Sequence, residues 1–313
     1  MSLFKAAVLS SSSFGAIITF TSAASAQVAP PSSSIVFDDN GVDIATGEVS
    51  LTETDVSIGG QAENGLAYTR LDALFRTNHS IYIAPTLPLY GSEAAGFNVT
   101  IGDATKGFDI GLNPAEPNGT SLTFDESTKQ YTFTDNDGTV YRFDGSHNSV
   151  NGLWIYPVIS ITTPSGVTIR YNMRWEKQCL FGTGCSNNSS DFRDNARVQS
   201  ITSNNGYQLK FEYYRDVNGL NANDWVNWYT LKSTTAINNA IDYCDPLADV
   251  CNYTHSWPKS SYSESYVTEP VPGIRRTAQN AAGRITETFV PNEAGAATVK
   301  RAGSAVNDQV LNK

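Results

Sequence analysis

One pattern limits what this chain can fold into more than any other: a strand, a glycine turn and a second strand, written three times without a gap. Tyr131–Phe143, Ile159–Tyr171 and Gln199–Phe211 align on Gly138, Gly166 and Gly206. Five positions before the glycine stands Phe133, Ile161 or Ile201; three after it Tyr141, Ile169 or Leu209; five after it Phe143, Tyr171 or Phe211. Alternation of apolar and polar residues around Asp-Gly, Ser-Gly or Asn-Gly is the pattern of a β-hairpin with one apolar face. A lone hairpin is marginal in water, whereas stacked hairpins bury one another's faces. The expected fold is therefore all-β, with stacked hairpins forming a β-solenoid or a large curled sheet.

The three glycines are 28 and then 40 residues apart, so insertions fall between units. Leu231–Tyr243 reads as a weaker copy turning at Asn238-Asn239. Arg275–Phe289 carries Gly283-Arg284, but its aromatic Phe289 lies six positions on, one residue out of phase. A one-residue slip reverses the apolar face, which predicts a bulge or a different pairing there. Repeats are expected over 120–290, and Ala297–Val310 reads as one more hairpin in an incomplete repeat or tail, 291–313.

The first third has another texture. Val49 and Leu51, then Val56 and Ile58, alternate with polar residues, and short strands are expected at Gly65–Arg70, Ile81–Ile83, Phe97–Ile101 and Phe108–Ile110. Residues 35–112 thus read as a small β-rich N-terminal unit, sandwich-like or a meander. Pro114 and Pro117, which a central strand would not tolerate, mark the change of unit.

Met1–Ala26 carries Lys5, a modest apolar stretch through Ile17, Ile18 and Phe20, and Ala24-Ser25-Ala26 before Gln27. That order is the order of a signal peptide with an A-x-A cleavage site, followed by a linker, 27–34. No later stretch reaches the roughly 18 apolar residues of a membrane span. Charged residues are only 17% of the chain and the net charge is −10, which repels phosphate backbones and excludes a nucleic-acid partner. The four cysteines fit export: Cys179 and Cys185 enclose five residues, Cys244 and Cys251 six, in loops of turn-forming residues. Two local disulfides are the simplest pairing among three, and a four-cysteine zinc site would need closer spacing.

Several stretches then fall into a familiar order. Gly41–Glu48, Thr54–Gly59 and Gly65–Arg70 resemble the opening segment of bacterial RHS (YD-repeat) proteins. Arg197–Tyr213, Ala236–Pro246 and Ser256–Pro258 resemble that family's N-terminal repeats, and Gly283-Arg284 with Phe289 is similar to its Gly-Arg and Tyr-x-Tyr-Asp core. The resemblance spans about residues 40–312. It implies an exported RHS/YD-type shell of stacked hairpins, which in long members encloses a C-terminal toxic effector and serves interbacterial competition or surface interaction. This chain departs from the pattern: it has few repeats and lacks the self-cleavage core and a variable effector tail. No catalytic residue of the family maps onto it, so a truncated gene or a module acting alone is expected.

Candidate chemistry is sparse. His79, His147 and His255 sit in polar, turn-like surroundings without metal-ligand or triad-like spacing. Asp135-Asn136-Asp137-Gly138 resembles the start of a calcium loop, but no later ligands follow and a hairpin turn explains it. Asp242, just before Cys244, and Asp245 and Asp249, inside the last cysteine loop, are a candidate for a weak calcium site against a solvated loop. No metal, cofactor or catalytic residue is expected. Trp154 with Tyr156, and Trp225 and Trp228 with Tyr229, are aromatic clusters of which Trp225 and Trp228 are the candidate glycan-contacting pair. The Asn-x-Ser/Thr sites at Asn78, Asn98, Asn118 and Asn252 read as turn composition.

The expectation is an exported, non-enzymatic RHS-like shell or surface scaffold, periplasmic, at the cell surface or extracellular. Its partners would be further RHS repeats, an effector chain or a cell-surface component. The competing readings are a cell-wall or carbohydrate-binding surface protein and a secreted hydrolase.

Overall fold

A computed structural model describes residues 52–60, 64–71, 76–86, 95–147, 155–179, 192–215, 225–268, 272–291, 298–303 and 306–312. The signal peptide, the linker and the Val49/Leu51 stretch lie outside them. Two strands form a separate hairpin, β1 (Glu53–Ile58) and β2 (Leu66–Arg70). Its register shifts between Thr54 and Val56, so Asp55 is an extra residue in β1. A bulge of this kind re-aims a side chain, and here neighbours Asp55 and Val56 are both buried.

Sixteen of the described strands make the second sheet. They begin with β3 (Ile81–Thr86), β4 (Gly96–Ile101), β5 (Ala104–Asp109), β6 (Ser121–Asp125), β7 (Gln130–Thr134), β8 (Val140–Asp144) and β9 (Tyr156–Thr162). Next come β10 (Thr168–Cys179), β11 (Phe192–Ser203), β12 (Tyr207–Tyr213), the short helix α1 (Trp225–Tyr229) and β13 (Leu231–Asn238). The last are β14 (Lys259–Val267), β15 (Gly273–Gln279), β16 (Ile285–Pro291), β17 (Thr298–Gly303) and β18 (Val306–Asn312). From β9 to β18 each strand pairs antiparallel with the next. The strands named here do not close into a barrel.

At β9 the sheet forks. β8 pairs with its Val158–Thr162 half, while β3 pairs with Tyr156 and Pro157 along the same edge. The two leaves, β3–β5 and β6–β8, face each other through rings: Phe97 meets Tyr131 at 5.6 Å and Phe108 meets Phe133 at 5.9 Å. The Pro114–Pro117 stretch is thus a turn between leaves of one sheet. Their core runs on without a break through Phe143, Val158, Ile161, Tyr171, Ile201, Leu209, Phe211 and Ala236.

The three aligned units are three hairpins with one turn. Gly138, Gly166 and Gly206 have φ of 86°, 86° and 85°, and each donates its N–H to the carbonyl three residues earlier, Asp135, Thr163 or Ser203. Only glycine enters that left-handed region freely. Across the turns Phe133 faces Tyr141, Ile161 faces Ile169 and Ile201 faces Leu209.

Two expectations need correction. The Gly283 unit contains no slip: Gly283 has φ 83° and the same bond to Asn280, and Ala278 faces Thr286 in the register of the other units. Its aromatic misled because the inward positions there are the small and polar Ala278, Thr286 and Thr288, all buried, while Phe289 points the other way. Leu231–Tyr243 is not a hairpin either. β13 pairs with β12 and β14, and the chain after Asn238 leaves the sheet as a loop that returns at Lys259.

Candidate functional site

Alternation gives the β10–β13 region a polar face. Asn172, Ser200, Lys210 and Thr235 lie opposite one another on successive strands, backing the apolar row Tyr171, Ile201, Leu209 and Ala236. On its own such a face would be wet. Instead the loop between β13 and β14 lies over it, and Ser200, Lys210 and Thr235 are buried.

The loop satisfies this face with main-chain carbonyls. Pro246 O accepts from Ser200 Oγ at 2.8 Å and from Lys210 Nζ at 3.4 Å. Ala248 O accepts from Gln199 Nε2 at 3.1 Å and from Lys210. Burial lowers the Lys210 ammonium to about 8, against the opposing pull of Asp249. Gln199 reaches the loop because the register shifts there: Ser200 faces Asn172 and Val198 faces Met173, leaving Gln199 as the extra residue.

Arg197 ties the loop to α1. Its guanidinium lies 4.3 Å from the Tyr213 ring and 4.7 Å from the Trp228 ring. It donates to the carbonyls of Arg215 and Trp228, both at 2.9 Å, and to the Asp249 carboxylate at 3.2 Å. A planar, forked cation suits this combination of stacking and several acceptors, and lysine would not.

The opposite face, toward β14–β16, is covered by the β1–β2 hairpin. Asp55 and Arg70 form a bidentate pair at 2.8 and 2.9 Å, and Tyr262 donates to the same carboxylate at 2.9 Å. Glu53 accepts from Asn280 at 2.8 Å and from Arg284 at 3.1 Å. Of the inward positions of β14–β16, Tyr262 meets the Asp55 carboxylate and also packs edge-on against the Tyr68 ring at 6.1 Å.

His79 is partly buried beside this hairpin. Nε2 contacts Ala67 O at 2.8 Å and Nδ1 contacts the Tyr171 hydroxyl at 2.8 Å. A carbonyl can only accept, so Nε2 carries the proton, and the neutral ring accepts from Tyr171 at Nδ1. Burial lowers its pKa to about 4, partly opposed by the Ala67 bond. His79 therefore cross-links the hairpin to β10.

The other two histidines sit beside an aspartate and a hydroxyl, and neither arrangement is a triad. His147 Nδ1 meets Asp144 at 2.9 Å and Ser146 at 3.0 Å; His255 Nδ1 meets Asp242 at 3.1 Å and Thr254 at 2.9 Å. A triad needs its acid and its nucleophile on opposite ring nitrogens, and here both crowd onto one.

The acidic cluster also disperses. Asp242 accepts from Thr254, His255 N at 3.0 Å and Trp257 Nε1 at 2.8 Å, and these bonds, the Thr254 hydroxyl first, hold it well below the usual carboxylate range. Asp245 caps Leu247 N at 2.8 Å, and Asp249 faces Arg174 and Arg197. The three carboxylates diverge, so the calcium candidate there is corrected. In the Asp135–Gly138 turn Asp137 holds Thr139 and Asp135 holds Asn136 N. Among the described residues no group of three or more His, Cys, Asp or Glu is placed to hold a metal ion.

The structure bonds Cys244 to Cys251 across a Cα separation of 5.7 Å. Cys179 is disulfide-bonded too, and Cys185 lies outside the described residues. Disulfides suit an oxidising compartment. Trp228 is corrected as a glycan platform: it is fully buried under Arg197 and edge-on to Tyr229, so no sugar face can reach it. Trp225 lies on α1, its side chain outside the described residues, as is Trp154. Sequence reasoning missed Arg197, Lys210, Asp55 and Arg70, since nothing local marks a charged strand residue as buried. No described helix is long and apolar enough to cross a membrane.

No protein-family model matches the chain, and no curated protein matches it. Among solved structures it is similar to a chain of the Photorhabdus luminescens Tc holotoxin pore, at 10% identity and a TM-score of 0.31. The match covers 84% of this chain and 16% of that one.

Proposed function

We propose that this chain is an exported, non-enzymatic RHS-like β-repeat module, acting as a shell or surface scaffold in cell contact or effector presentation. One observation supports the reading most: hairpins built on a single turn geometry and hydrogen-bonded in series into one open sheet. Such an assembly displays surface and grows by adding strands. β18 ends the hydrogen-bonded order of the described strands, and an end strand is a template for another chain. The partner that fits is a further run of repeats, an effector chain or a cell-surface component. The glycan-binding reading is weakened by the burial of Trp228.

The test is sedimentation velocity of the secreted, processed protein up to tens of micromolar, with hydrogen exchange of the β18 amides. Association that grows with concentration and protects β18 supports a scaffold that pairs through its edge. A monomer at every concentration, with β18 exchanging freely, overturns it.

A further inference from the structure

The segment enclosed by Cys244 and Cys251 is built inside out. Its main chain and one carboxylate face the sheet: the carbonyls of Pro246 and Ala248 as described, Leu247 O accepting from Arg174 at 3.2 Å, and Asp249 between Arg174 and Arg197. Its apolar side chains face solvent, with Leu247 48% and Val250 65% exposed and Tyr243 just outside the ring at 72%. Hydrophobic burial, the usual force that seats a loop, therefore contributes little here. Hydrogen bonds to side chains, and the disulfide, hold the segment down.

Two closures are nested. The outer one, Asp242 with Thr254, His255 and Trp257, lies beyond both cysteines and involves neither of them. The inner one is the disulfide, with Cys244 buried and Cys251 partly exposed. Beneath the inner segment lies Lys210, whose side chain has no contact with solvent while the carbonyls of Pro246 and Ala248 cover it.

We propose that the Cys244–Cys251 disulfide is a redox latch: reducing it releases residues 245–250 from the sheet and uncovers Lys210, while the sheet and the Asp242 clasp stay in place. The reductant is a dithiol. Its thiolate attacks one sulfur, the S–S bond breaks, and ring closure of the dithiol to its own disulfide leaves Cys244 and Cys251 as thiols. Two electrons and two protons pass to the protein. The chain is thus open over Lys210 in a reducing compartment and closes it in an oxidising one.

Acylation of the full processed chain by an N-hydroxysuccinimide ester, read residue by residue by mass spectrometry, tests this. A Cys179→Ser/Cys185→Ser background removes the remaining cysteines from the comparison. Opening the short ring should raise Lys210 labelling roughly fifty-fold, the loop-closure contribution of a ring this size, while the exposed Lys259 labels unchanged. Dithiothreitol on the folded protein and the Cys244→Ser/Cys251→Ser variant should agree. Lys210 labelling that stays at the oxidised rate in both overturns the latch, because hydrogen bonds alone then seat the segment. Labelling that rises together with amide exchange at Ile201 and Leu209 overturns it as well, because the sheet itself has then opened.

Discussion

Asp55 and Arg70 share two hydrogen bonds, at 2.8 and 2.9 Å, with both side chains out of reach of solvent. The pair joins the strands of the β1–β2 hairpin, and the Tyr262 hydroxyl on the same carboxylate joins that hairpin to a strand 207 residues later in the chain. Breaking a buried pair by removing one partner strands a charge and costs about 3–5 kcal/mol. Asp55→Ala should lower stability by that amount in urea unfolding. Tyr262→Phe, which leaves the ion pair intact, should cost only about 1.5–3 kcal/mol, as for a hydrogen bond to a charged group.

Trp228 should behave as a core residue. Trp228→Ala is expected to cost about 3–5 kcal/mol, with the loss registered as a lower unfolding midpoint and not as a change in any sugar titration. Arg197→Lys keeps the charge but loses the fork and the stacking on Tyr213 and Trp228. It should still lower the midpoint clearly, and it should increase hydrogen exchange over 244–251, whose Asp249 loses a partner.

His79 should make stability fall with acid in a defined window. Its folded pKa, about 4, lies below the unfolded value near 6.5, so between them the unfolded chain binds the extra proton. Stability is therefore whole above pH 6.5, falls as the pH drops toward 4 and levels below that. The full effect is roughly 3 kcal/mol. Glu212 and Asp144, held below the ordinary carboxylate range, lose their contributions at lower pH still. In His79→Gln the amide can donate to Ala67 O and accept from Tyr171, so the slope between pH 4 and 6.5 should flatten in denaturant titrations at each pH.

The turn glycines should differ in cost according to their surroundings. At Gly206 an added methyl group meets open space, so Gly206→Ala carries only the left-handed backbone penalty of about 1–2 kcal/mol. Gly59→Ala combines the same penalty, at φ 85°, with a collision against the Tyr207 ring. Thermal unfolding should place Gly59→Ala below Gly206→Ala, and Gly206→Asn closer to the parent protein.

Much of the sheet is legible in the sequence because its pairings are local. Ile201 and Leu209 must face each other once Gly206 turns the chain between them, and alternation then assigns every neighbour a face. The same reasoning misplaced Phe289. It took the aromatic as the marker of the inward face, whereas the register follows Gly283 and the inward residues there are polar. The Asn238-Asn239 turn misled for a similar reason: a turn pair was read without knowledge that β13 already had partners on both edges.

The candidate site was far less legible. Alternation marks Lys210 and Ser200 as polar residues on an outward face, and on most sheets they would be wet. Here the chain comes back some forty residues later to lay Pro246 and Ala248 across them, a contact no local pattern encodes. Spacing alone suggested the Cys244–Cys251 bond, but only the tertiary structure shows that the loop it closes lays carbonyls over a buried ammonium.

What the sequence by itself determined is the hairpin: strand period, turn type and register, all set by residues within about ten positions through backbone sterics and alternation. What only the tertiary structure decided is which polar faces are dry. That depends on distant segments, β1–β2 on one side of the sheet and the disulfide loop on the other. The loop brings acceptors to the buried Lys210 and Arg197, and the hairpin brings a buried ion pair of its own to the Tyr262 hydroxyl; burying a charge is tolerable only where such partners are in place.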